Sequence, residues 1–176
     1  MNVWHNINPK RICPDEFVAV IEIEKGSKCK YEIDKETGLL MLDRILYTST
    51  HYPANYGFIP RTSADDGDPL DVLVLCSEAL RPMTEVVCYP IGIISMIDGG
   101  RNDEKIIAIP VGDPTYNGYK DISELPKHVF EEMQHFFRVY KELEGKATAV
   151  NEVAGKAEAE SVIAECISAY IKTYDK

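Results

Sequence analysis

Apolar and polar positions alternate along the first two thirds of the chain, as they do in β-strands with one buried face. Residues 17–24 and 28–33 both show this period of two, and the turn-forming pair Gly26-Ser27 stands between them. The pattern predicts a β-hairpin made of these two segments. Residues 39–46 alternate in the same way and predict a third strand that follows another turn.

A longer apolar segment in the middle of the chain predicts a bent strand. Residues 86–97 are mostly apolar, but Pro90 and Gly92 interrupt them, and both residue types are typical of bulges and barrel corners. After a loop predicted over residues 98–104, residues 105–109 predict the returning strand. Several short strands with such bends favour a small closed barrel over a parallel sheet.

The last third of the chain has helical periodicity instead. One apolar stripe begins after Pro126, a residue suited to a first helical turn, and ends before Gly145. Its apolar positions are Val129, Met133, Phe136, Phe137 and Tyr140. A second stripe near the C-terminus contains Ala159, Val162, Ile163, Cys166, Ile167 and Tyr170. Both stripes predict amphipathic helices, and the first is expected to pack on the barrel.

Composition limits the class of protein. A chain of 176 residues that is 45% hydrophobic can bury one sizeable core, and no linker or repeat divides it, so residues 1–176 are predicted to form a single domain. The formal net charge of −10 argues against a nucleic-acid backbone or an anionic membrane as partner, because both would be repelled. Cations and small ligands remain as candidate partners.

The cysteines and the N-terminus predict a cytoplasmic protein. The five cysteines are odd in number, show no Cys-x-x-Cys spacing and lie mostly among apolar neighbours. They are interpreted as buried thiols in a reducing compartment rather than as disulfides or a zinc site. Residues 1–5 lack the basic and apolar regions of a leader sequence, and no stretch approaches the roughly 18 apolar residues of a membrane span.

Candidate chemistry begins with the segment Asp66-Gly67-Asp68-Pro69-Leu70-Asp71, which brings three carboxylates together directly before an apolar strand. Carboxylates this close repel each other and raise each other's pKa. A fold that keeps them together usually supplies a divalent cation, and Mg²⁺ is the expected ion. Asp, Gly and Pro are also the commonest turn residues, so a solvated turn remains the alternative interpretation of this segment taken alone.

A second acidic segment occupies residues 98–105, between two predicted strands. If it meets the first segment across a barrel mouth, Asp98 and Asp103 add metal ligands and Lys105 adds a phosphate contact. The alternative is a polar hairpin tip, because glycine and aspartate are frequent there as well. Neither acidic segment has the spacing of an EF-hand calcium loop.

This acidic chain contains 19 lysines and arginines, and some of them lie near the candidate site elements. Four of them lie beside or in phase with candidate site elements: Lys30, Arg44, Lys105 and Lys141. Together with the carboxylates they resemble a clamp for phosphate and Mg²⁺, and Arg44, on the otherwise apolar face of the third strand, favours a bound anion. Each lysine taken singly is also consistent with a solvated face, and Tyr56 and Tyr140 with core packing that leaves a hydroxyl free.

Residues 66–74 match the signature of the family I soluble inorganic pyrophosphatases, and the chain resembles this family along nearly its whole length. Further segments follow in the family's order and spacing: residues 20–23, 30–35, 43–44, 52–59, 98, 103–105, 136–137 and 140–141. The resemblance implies a mainly β fold with α, in which a five-stranded OB-like β-barrel is flanked by two α-helices. It also implies an inorganic diphosphatase, which hydrolyses pyrophosphate to two phosphates with a metal-activated water in a carboxylate-rich site.

The resemblance further assigns roles to thirteen residues. The metal ligands would be Asp66, Asp71, Asp98, Asp103 and Glu32, the last for a metal that arrives with substrate. Asp68 would be the general base for the attacking water. The phosphate groups would be bound by Lys30, Arg44, Tyr56, Lys105, Tyr140 and Lys141, and Glu22 would tune the site from behind its ligands. Several Mg²⁺ ions per site are expected, with Mn²⁺ or Zn²⁺ as possible substitutes.

By the same resemblance the protein is expected to form a homo-oligomer. A hexamer is the first expectation, because bacterial family members are usually hexamers. Residues 145–156 lack the tryptophans of some bacterial members, whereas Trp4-His5 and residues 149–151 look closer to a plant-like branch. These departures affect no site residue, but they leave the subunit interface open.

Two functions of other classes are alternatives to the diphosphatase hypothesis. An OB-like barrel is also a scaffold for nucleic-acid binding, but that function needs a basic groove with stacking aromatics, whereas the mouth predicted here is acidic. A non-catalytic store for Mg²⁺ or Ca²⁺ would use the carboxylates but leave Lys30, Arg44 and Lys105 without a role. The sequence leaves open the metal preference, activity on nucleoside polyphosphates, regulation and inhibition by Ca²⁺.

Overall fold

The structure is a computed structural model that describes residues 2–175. Most of the regular structure in this range is β. The strands are β1 Phe17–Ile23, β2 Cys29–Ile33, β3 Leu40–Ile45, β4 Asn55–Ile59, β5 Leu70–Val74, β6 Glu85–Asp98, β7 Arg101–Pro110 and β8 Thr148–Gly155. The α-helices are α1 Lys127–Val139 and α2 Lys156–Tyr174.

Five strands close into a ring. The hydrogen-bonded order is β1-β4-β5-β7-β6, and β6 pairs with β1 again, so the sheet returns to its first strand. All of these pairs are antiparallel except β5 with β7. Strand β8 is added outside the ring, on β6. The predicted five-stranded OB-like barrel with two helices is therefore confirmed.

The predicted hairpin between the first two strands is wrong. Strand β1 pairs with β4 and β6, whereas β2 pairs with β3 in a separate two-stranded sheet. All seven residues of β1 are buried, so both edges of this strand need partners inside the ring. Alternation in the sequence identified the strands correctly, but it carries no information about which strands pair.

The hairpin that does form, β2–β3, lies partly in solvent. Its apolar side chains do not form a core face as predicted, because several of them are about half exposed or more: Leu39, Met41, Leu42 and Ile45. Arg44 itself is largely shielded, with 19% of its side chain exposed. The shielding therefore comes from elements other than the apolar face of its own strand.

Strand β6 bends where the sequence predicted a bend. Its pairing with β7 shifts register between Pro90 and Gly92. A Cβ atom on Gly92 would lie 2.3 Å from Ile122 Cγ2 and 2.7 Å from Ala154 O, so a side chain and a backbone oxygen of other segments approach this glycine closely. The loop predicted over residues 98–104 is wrong in extent, because only Gly99 and Gly100 form the turn and the strands continue on either side.

Both predicted helices are present. Met133, Phe136 and Phe137 of α1 are buried in one cluster with barrel residues such as Leu73 and Ile107, which confirms that α1 packs on the barrel. Phe130 is also buried there and was not predicted. The predicted stripe of α2 is buried or partly buried throughout. Strand β8, which follows α1, was missed.

The cysteines are only partly as predicted. All five are free thiols, and Cys76, Cys88 and Cys166 are buried. Cys13 is exposed and Cys29 is half-buried, so the prediction of buried thiols is wrong for these two. In the described range, neither helix combines the length and the apolar character needed to cross a membrane.

Candidate active site

Most of the residues predicted for the site line one cavity of about 200 Å³. The cavity lies where β1, β2, β4, β5 and β7 meet the loop before β5 and the residues that follow α1. Its lining includes Glu22, Lys30, Glu32, Tyr56, Asp66, Asp68, Asp71, Asp103, Lys105, Tyr140 and Lys141. Arg44 and Asp98 do not line it. The fold thus brings together eleven of the thirteen candidates from distant parts of the sequence.

The parallel pair β5–β7 sets the centre of the site. Asp71 and Lys105 are opposite each other in its register. The Lys105 ammonium, whose side chain is 2% exposed, donates hydrogen bonds to Asp71 Oδ2 at 2.7 Å, Asp103 Oδ1 at 2.9 Å and the Tyr56 hydroxyl at 3.1 Å. Burial disfavours the charged lysine, but the two carboxylates outweigh it and raise the pKa of Lys105.

The carboxylates near Lys105 are themselves short of compensating charge. Burial raises the pKa of Asp71, Lys105 opposes this rise, and the neighbouring charge of Asp103 adds to it. Tyr56 stays protonated, because burial raises the pKa of its hydroxyl well above the ordinary value. The hydroxyl donates a hydrogen bond to Asp71. One lysine therefore faces two carboxylates, which leaves this part of the cavity negative.

Glu22 lies behind Asp71 and has little contact with solvent. Its side chain is 8% exposed, and its Oε1 accepts a hydrogen bond of 2.8 Å from the backbone N–H of Ile33. Burial raises the pKa of Glu22 to about 8, with the charge of Asp71 adding to the effect. The bond also connects β1 of the ring to the end of β2 in the separate hairpin.

The segment from Asp66 to Asp71 is both a turn and part of the cavity wall. Gly67 has a φ of 85°, and the Asp68 N–H donates to Asp66 Oδ1 at 2.9 Å. Strand β5 then begins at Leu70, so Asp71 is held in a strand while Asp66 and Asp68 stay on the turn. The two interpretations of this segment are thus compatible. The Asp68 carboxylate forms an ion pair with Lys35, a residue that the sequence reasoning did not single out.

Two further lysines border the cavity. Lys30 forms ion pairs with Glu32 and with Asp43, the latter at 3.3 Å. Lys141 forms an ion pair with Asp98, which connects that aspartate to the site although it does not line the cavity. Burial disfavours the charged form of Lys141, but Tyr140 and Asp98 outweigh it and raise its pKa.

Arg44 is held beside the site by two acidic residues. It contacts Asp43, and its Nε lies 2.9 Å from Glu144 Oε1. Its Nη2 is buried and has no hydrogen-bond partner among the described residues. Glu144, whose side chain is 9% exposed, was not predicted, because nothing in its local sequence distinguishes it from other surface glutamates. A buried guanidinium nitrogen without a partner is suited to an anion.

The donor set fits a divalent cation, although no cage is preformed. Within residues 2–175, no three side chains of His, Cys, Asp or Glu converge as metal ligands. The available donors are carboxylate oxygens, which Mg²⁺ prefers. The raised pKa values of Asp71 and Glu22 indicate that negative charge here is poorly compensated, and a bound cation would relieve this. A negative, carboxylate-lined cavity with lysines and an arginine at its edges is typical of enzymes that use metal ions on phosphate substrates.

The comparisons with known proteins identify the family. A model of the family described as inorganic pyrophosphatase matches residues 19–171, so the chain belongs to the inorganic pyrophosphatase family. It is 47% identical over 171 residues to "Soluble inorganic pyrophosphatase 2" of Chlamydomonas reinhardtii, covering 97% of this chain and 89% of the relative. It is 50% identical over 149 residues to "Soluble inorganic pyrophosphatase 1" of Arabidopsis thaliana, covering 85% of this chain and 70% of the relative.

Solved structures agree on the fold. The inorganic pyrophosphatase of Thermus thermophilus matches with a TM-score of 0.92 at 36% identity, covering 97% of this chain and 99% of that one. That of Helicobacter pylori matches with a TM-score of 0.87 at 44% identity, covering 90% and 95%. The predicted family is confirmed, and with it a metal-dependent hydrolase of pyrophosphate.

Proposed function

We propose that the cavity around Lys105 is where this protein hydrolyses pyrophosphate, with Mg²⁺ as the metal and several ions per site. The observation that carries the proposal is the contact of one buried lysine with Asp71 and Asp103, two carboxylates held on neighbouring strands. Pyrophosphate carries dense negative charge, so a site for it needs cations to compensate that charge. Bound Mg²⁺ would supply much of this compensation and would lower the pKa of the attacking water.

The metal ligands in this proposal are carboxylates at the cavity wall. They are Asp66, Asp71 and Asp103 for the more tightly held ions, with Asp98 and Glu32 at further positions. Asp98 is now in contact with Lys141, and Glu32 with Lys30. These lysines would be released from the carboxylates when metal and substrate arrive, and they would then be free to contact phosphate oxygens.

The remaining residues bind phosphate or move a proton. Lys30, Arg44, Tyr56, Lys105, Tyr140 and Lys141 would contact the phosphate groups, and the buried Nη2 of Arg44 supports this role because it has no protein partner in the described range. Asp68 would accept a proton from the water that attacks phosphorus. Glu22 would modulate the charge of the metal ligands from behind Asp71. Attack by water in a single displacement needs no covalent intermediate.

The direct test is phosphate release from pyrophosphate with Mg²⁺, with EDTA, and with ATP as a competing substrate. We expect fast, EDTA-sensitive release from pyrophosphate and little from ATP. Parallel assays with Mn²⁺, Zn²⁺ and added Ca²⁺ would rank the metals. A folded, metal-loaded protein that releases no phosphate would contradict the proposal and favour a cation store, whereas binding of single-stranded oligonucleotides would favour a nucleic-acid module.

We also propose a homo-oligomer, with the hexamer as the first expectation. The half-exposed apolar side chains of the β2–β3 hairpin support an assembly, because patches of this kind are commonly covered by a partner. Light scattering on the purified protein would give the number of subunits, and a dimer or a monomer would contradict the hexamer.

A cytoplasmic location is proposed from the five free thiols, which a reducing compartment would preserve.

A further inference from the structure

Lys35 connects the β2–β3 hairpin to the loop that carries the proposed base. It lies in the turn after β2, lines the active-site cavity, and forms an ion pair with the carboxylate of Asp68. Among residues 2–175, Lys35 is the only side chain that forms a hydrogen bond or an ion pair with this carboxylate. The polar partner that can orient the Asp68 side chain is therefore Lys35, which lies in the turn of the β2–β3 hairpin.

Lys35 is itself held in place by the N-terminal segment. The Asn2 side-chain amide donates a hydrogen bond of 3.0 Å to the Lys35 carbonyl oxygen. The Lys35 ammonium lies 5.6 Å from the centroid of the Trp4 ring, within the range of a cation–π contact. Trp4 is 5% exposed, and its Nε1 donates to Thr62 O at 2.9 Å. The N-terminal segment thus restrains both the backbone and the side chain of Lys35.

We propose that Lys35 is a positioning residue, which holds the Asp68 carboxylate in the orientation needed to take a proton from the attacking water. The proposal rests on the proposed function, since it takes Asp68 as the base. About half of the Asp68 side chain is exposed, at 53%, so it would sample several rotamers without a partner. A general base must lie within hydrogen-bond reach of the proton it accepts, and a small displacement reduces turnover strongly.

The ion pair between Lys35 and Asp68 is better suited to positioning than to stability. Both side chains are about half exposed, at 54% and 53%, and exposed ion pairs contribute little to the free energy of unfolding. Removal of the lysine should therefore leave the fold and the metal ligands intact. This separates Lys35 from Lys105, which is buried between carboxylates.

The first test is Lys35→Ala in the full-length protein. We expect kcat for pyrophosphate to fall at least about tenfold, with KM and the Mg²⁺ dissociation constant measured by calorimetry close to those of the wild type. Lys35→Arg should restore most of the turnover, because it keeps the cation. The matched control is Lys127→Ala, which removes another exposed ion-pair lysine, 3.3 Å from Glu131 on α1 and away from the cavity, and should change nothing.

The second test is the double variant Lys35→Ala with Asp68→Asn. If the lysine acts through the aspartate, adding Lys35→Ala to Asp68→Asn should cost no further turnover. Additive losses would overturn the proposal. So would a raised KM with unchanged kcat in Lys35→Ala, because that pattern would make Lys35 a phosphate ligand.

A third readout is independent of turnover. Trp4 is the only tryptophan of the chain, so its fluorescence reports on the cation above its ring. Lys35→Ala should change the emission and Lys127→Ala should not, and unchanged emission in Lys35→Ala would contradict the placement of Lys35. Different outcomes would overturn the proposed function and the role of Lys35. An inactive wild type would overturn the proposed function, whereas an active wild type with an impaired Asp68→Asn and an unimpaired Lys35→Ala would overturn this inference alone.

Discussion

Lys105 keeps its charge inside the barrel because Asp71 and Asp103 lie within hydrogen-bond distance of its ammonium group. Placing any one of these three groups in a buried setting alone would be costly, since an unpaired charge loses its hydration. Under the proposed function, the same arrangement would also serve substrate binding. If cations took up the carboxylates, Lys105 would be left facing the cavity with a full charge, and a phosphate group could become its new anion.

Single replacements of Asp68 and of Asp71 should separate metal binding from proton transfer. Asp68→Asn should lower turnover by a factor on the order of 100 to 10,000, the range for loss of a general base, and leave Mg²⁺ affinity nearly unchanged. Asp71→Asn should lower both turnover and Mg²⁺ affinity, because it removes a proposed ligand. The measurements are steady-state kinetics and Mg²⁺ titration calorimetry. Equal and slight effects of the two substitutions would contradict the assignment.

Glu22 gives a pH-dependent prediction for the metal-free protein. Its pKa is about 8 in the folded state, against an ordinary value of 4.5. Below pH 4.5 both folded and unfolded states hold the proton, but between 4.5 and 8 only the folded state does, so this group lowers stability as pH rises through that range. Glu22→Gln removes the effect and can still accept the bond from Ile33.

The two proteins are expected to differ in how steeply the free energy of unfolding changes with pH, rather than in its value at one pH. Relative to wild type, Glu22→Gln should gain stability between pH 4.5 and pH 8, by about 5 kcal/mol at most from the shift in pKa. Urea unfolding in EDTA at several pH values measures this. Parallel pH profiles of the two proteins would show that Glu22 is ionised in the folded state at neutral pH.

At the scale of elements, the ring depends on a close approach between β1 and β4. Gly57 on β4 faces Ile21 of β1, and a Cβ atom there would lie 1.9 Å from Val20 O. We expect Gly57→Ala to lower the free energy of unfolding by about 3 kcal/mol or more, because backbone has to move to make room. Thermal or urea unfolding measures the loss.

The matched control for this prediction is Gly118→Ala. Gly118 is exposed, and a Cβ atom there meets nothing within 4 Å. The substitution should leave stability close to wild type, or raise it slightly by restricting the unfolded chain. Equal effects of the two substitutions would mean that β1 and β4 are less closely packed in solution.

The positions of strands and helices were easier to predict from the sequence than the pairing between strands. The third strand, the bend at Pro90 and both helices follow from local periodicity and turn chemistry, and they are present. The pairing of β1 with β4 and β6 could not be derived from periodicity, because it joins segments far apart in the chain. Strand β8 was missed because its eight residues are mostly small, polar or half-exposed and show no clear alternation.

In the candidate site, too, local features could be predicted from the sequence and contacts between distant segments could not. The acidic segment at residues 66–71 was visible as local chemistry, and residues 98–105 were expected to meet it across a barrel mouth. Lys35 and Glu144 were not found, because each is an ordinary charged residue in a polar stretch. Their contacts with Asp68 and Arg44 arise only when the hairpin and the segment after α1 fold against the barrel.

At the scale of the whole molecule, a net charge of −10 favours any cation that binds the folded state. Mg²⁺ at about 100 times its dissociation constant should add about 2.7 kcal/mol to stability, which corresponds to a rise in Tm of about 5–10 °C for a chain of this size. Calorimetric scans with Mg²⁺ and with EDTA measure it. The rise should be much smaller in Asp71→Asn, and an equal rise in both proteins would place the stabilising ion elsewhere.

The closure of the ring has a consequence for the order of folding. The first strand completes the ring by pairing Phe17 with Cys88, so it cannot find its final partner until all the strands up to β6 are available. Contacts between such distant segments form slowly, because a long loop must be closed before any of its pairing is gained. On a ribosome, the first strand could pair with β4 early, but its other edge would stay without a partner until β6 emerges. The candidate active-site cavity takes wall residues from β1 and from β7, which follows β6 in the chain, and is therefore a late product of folding.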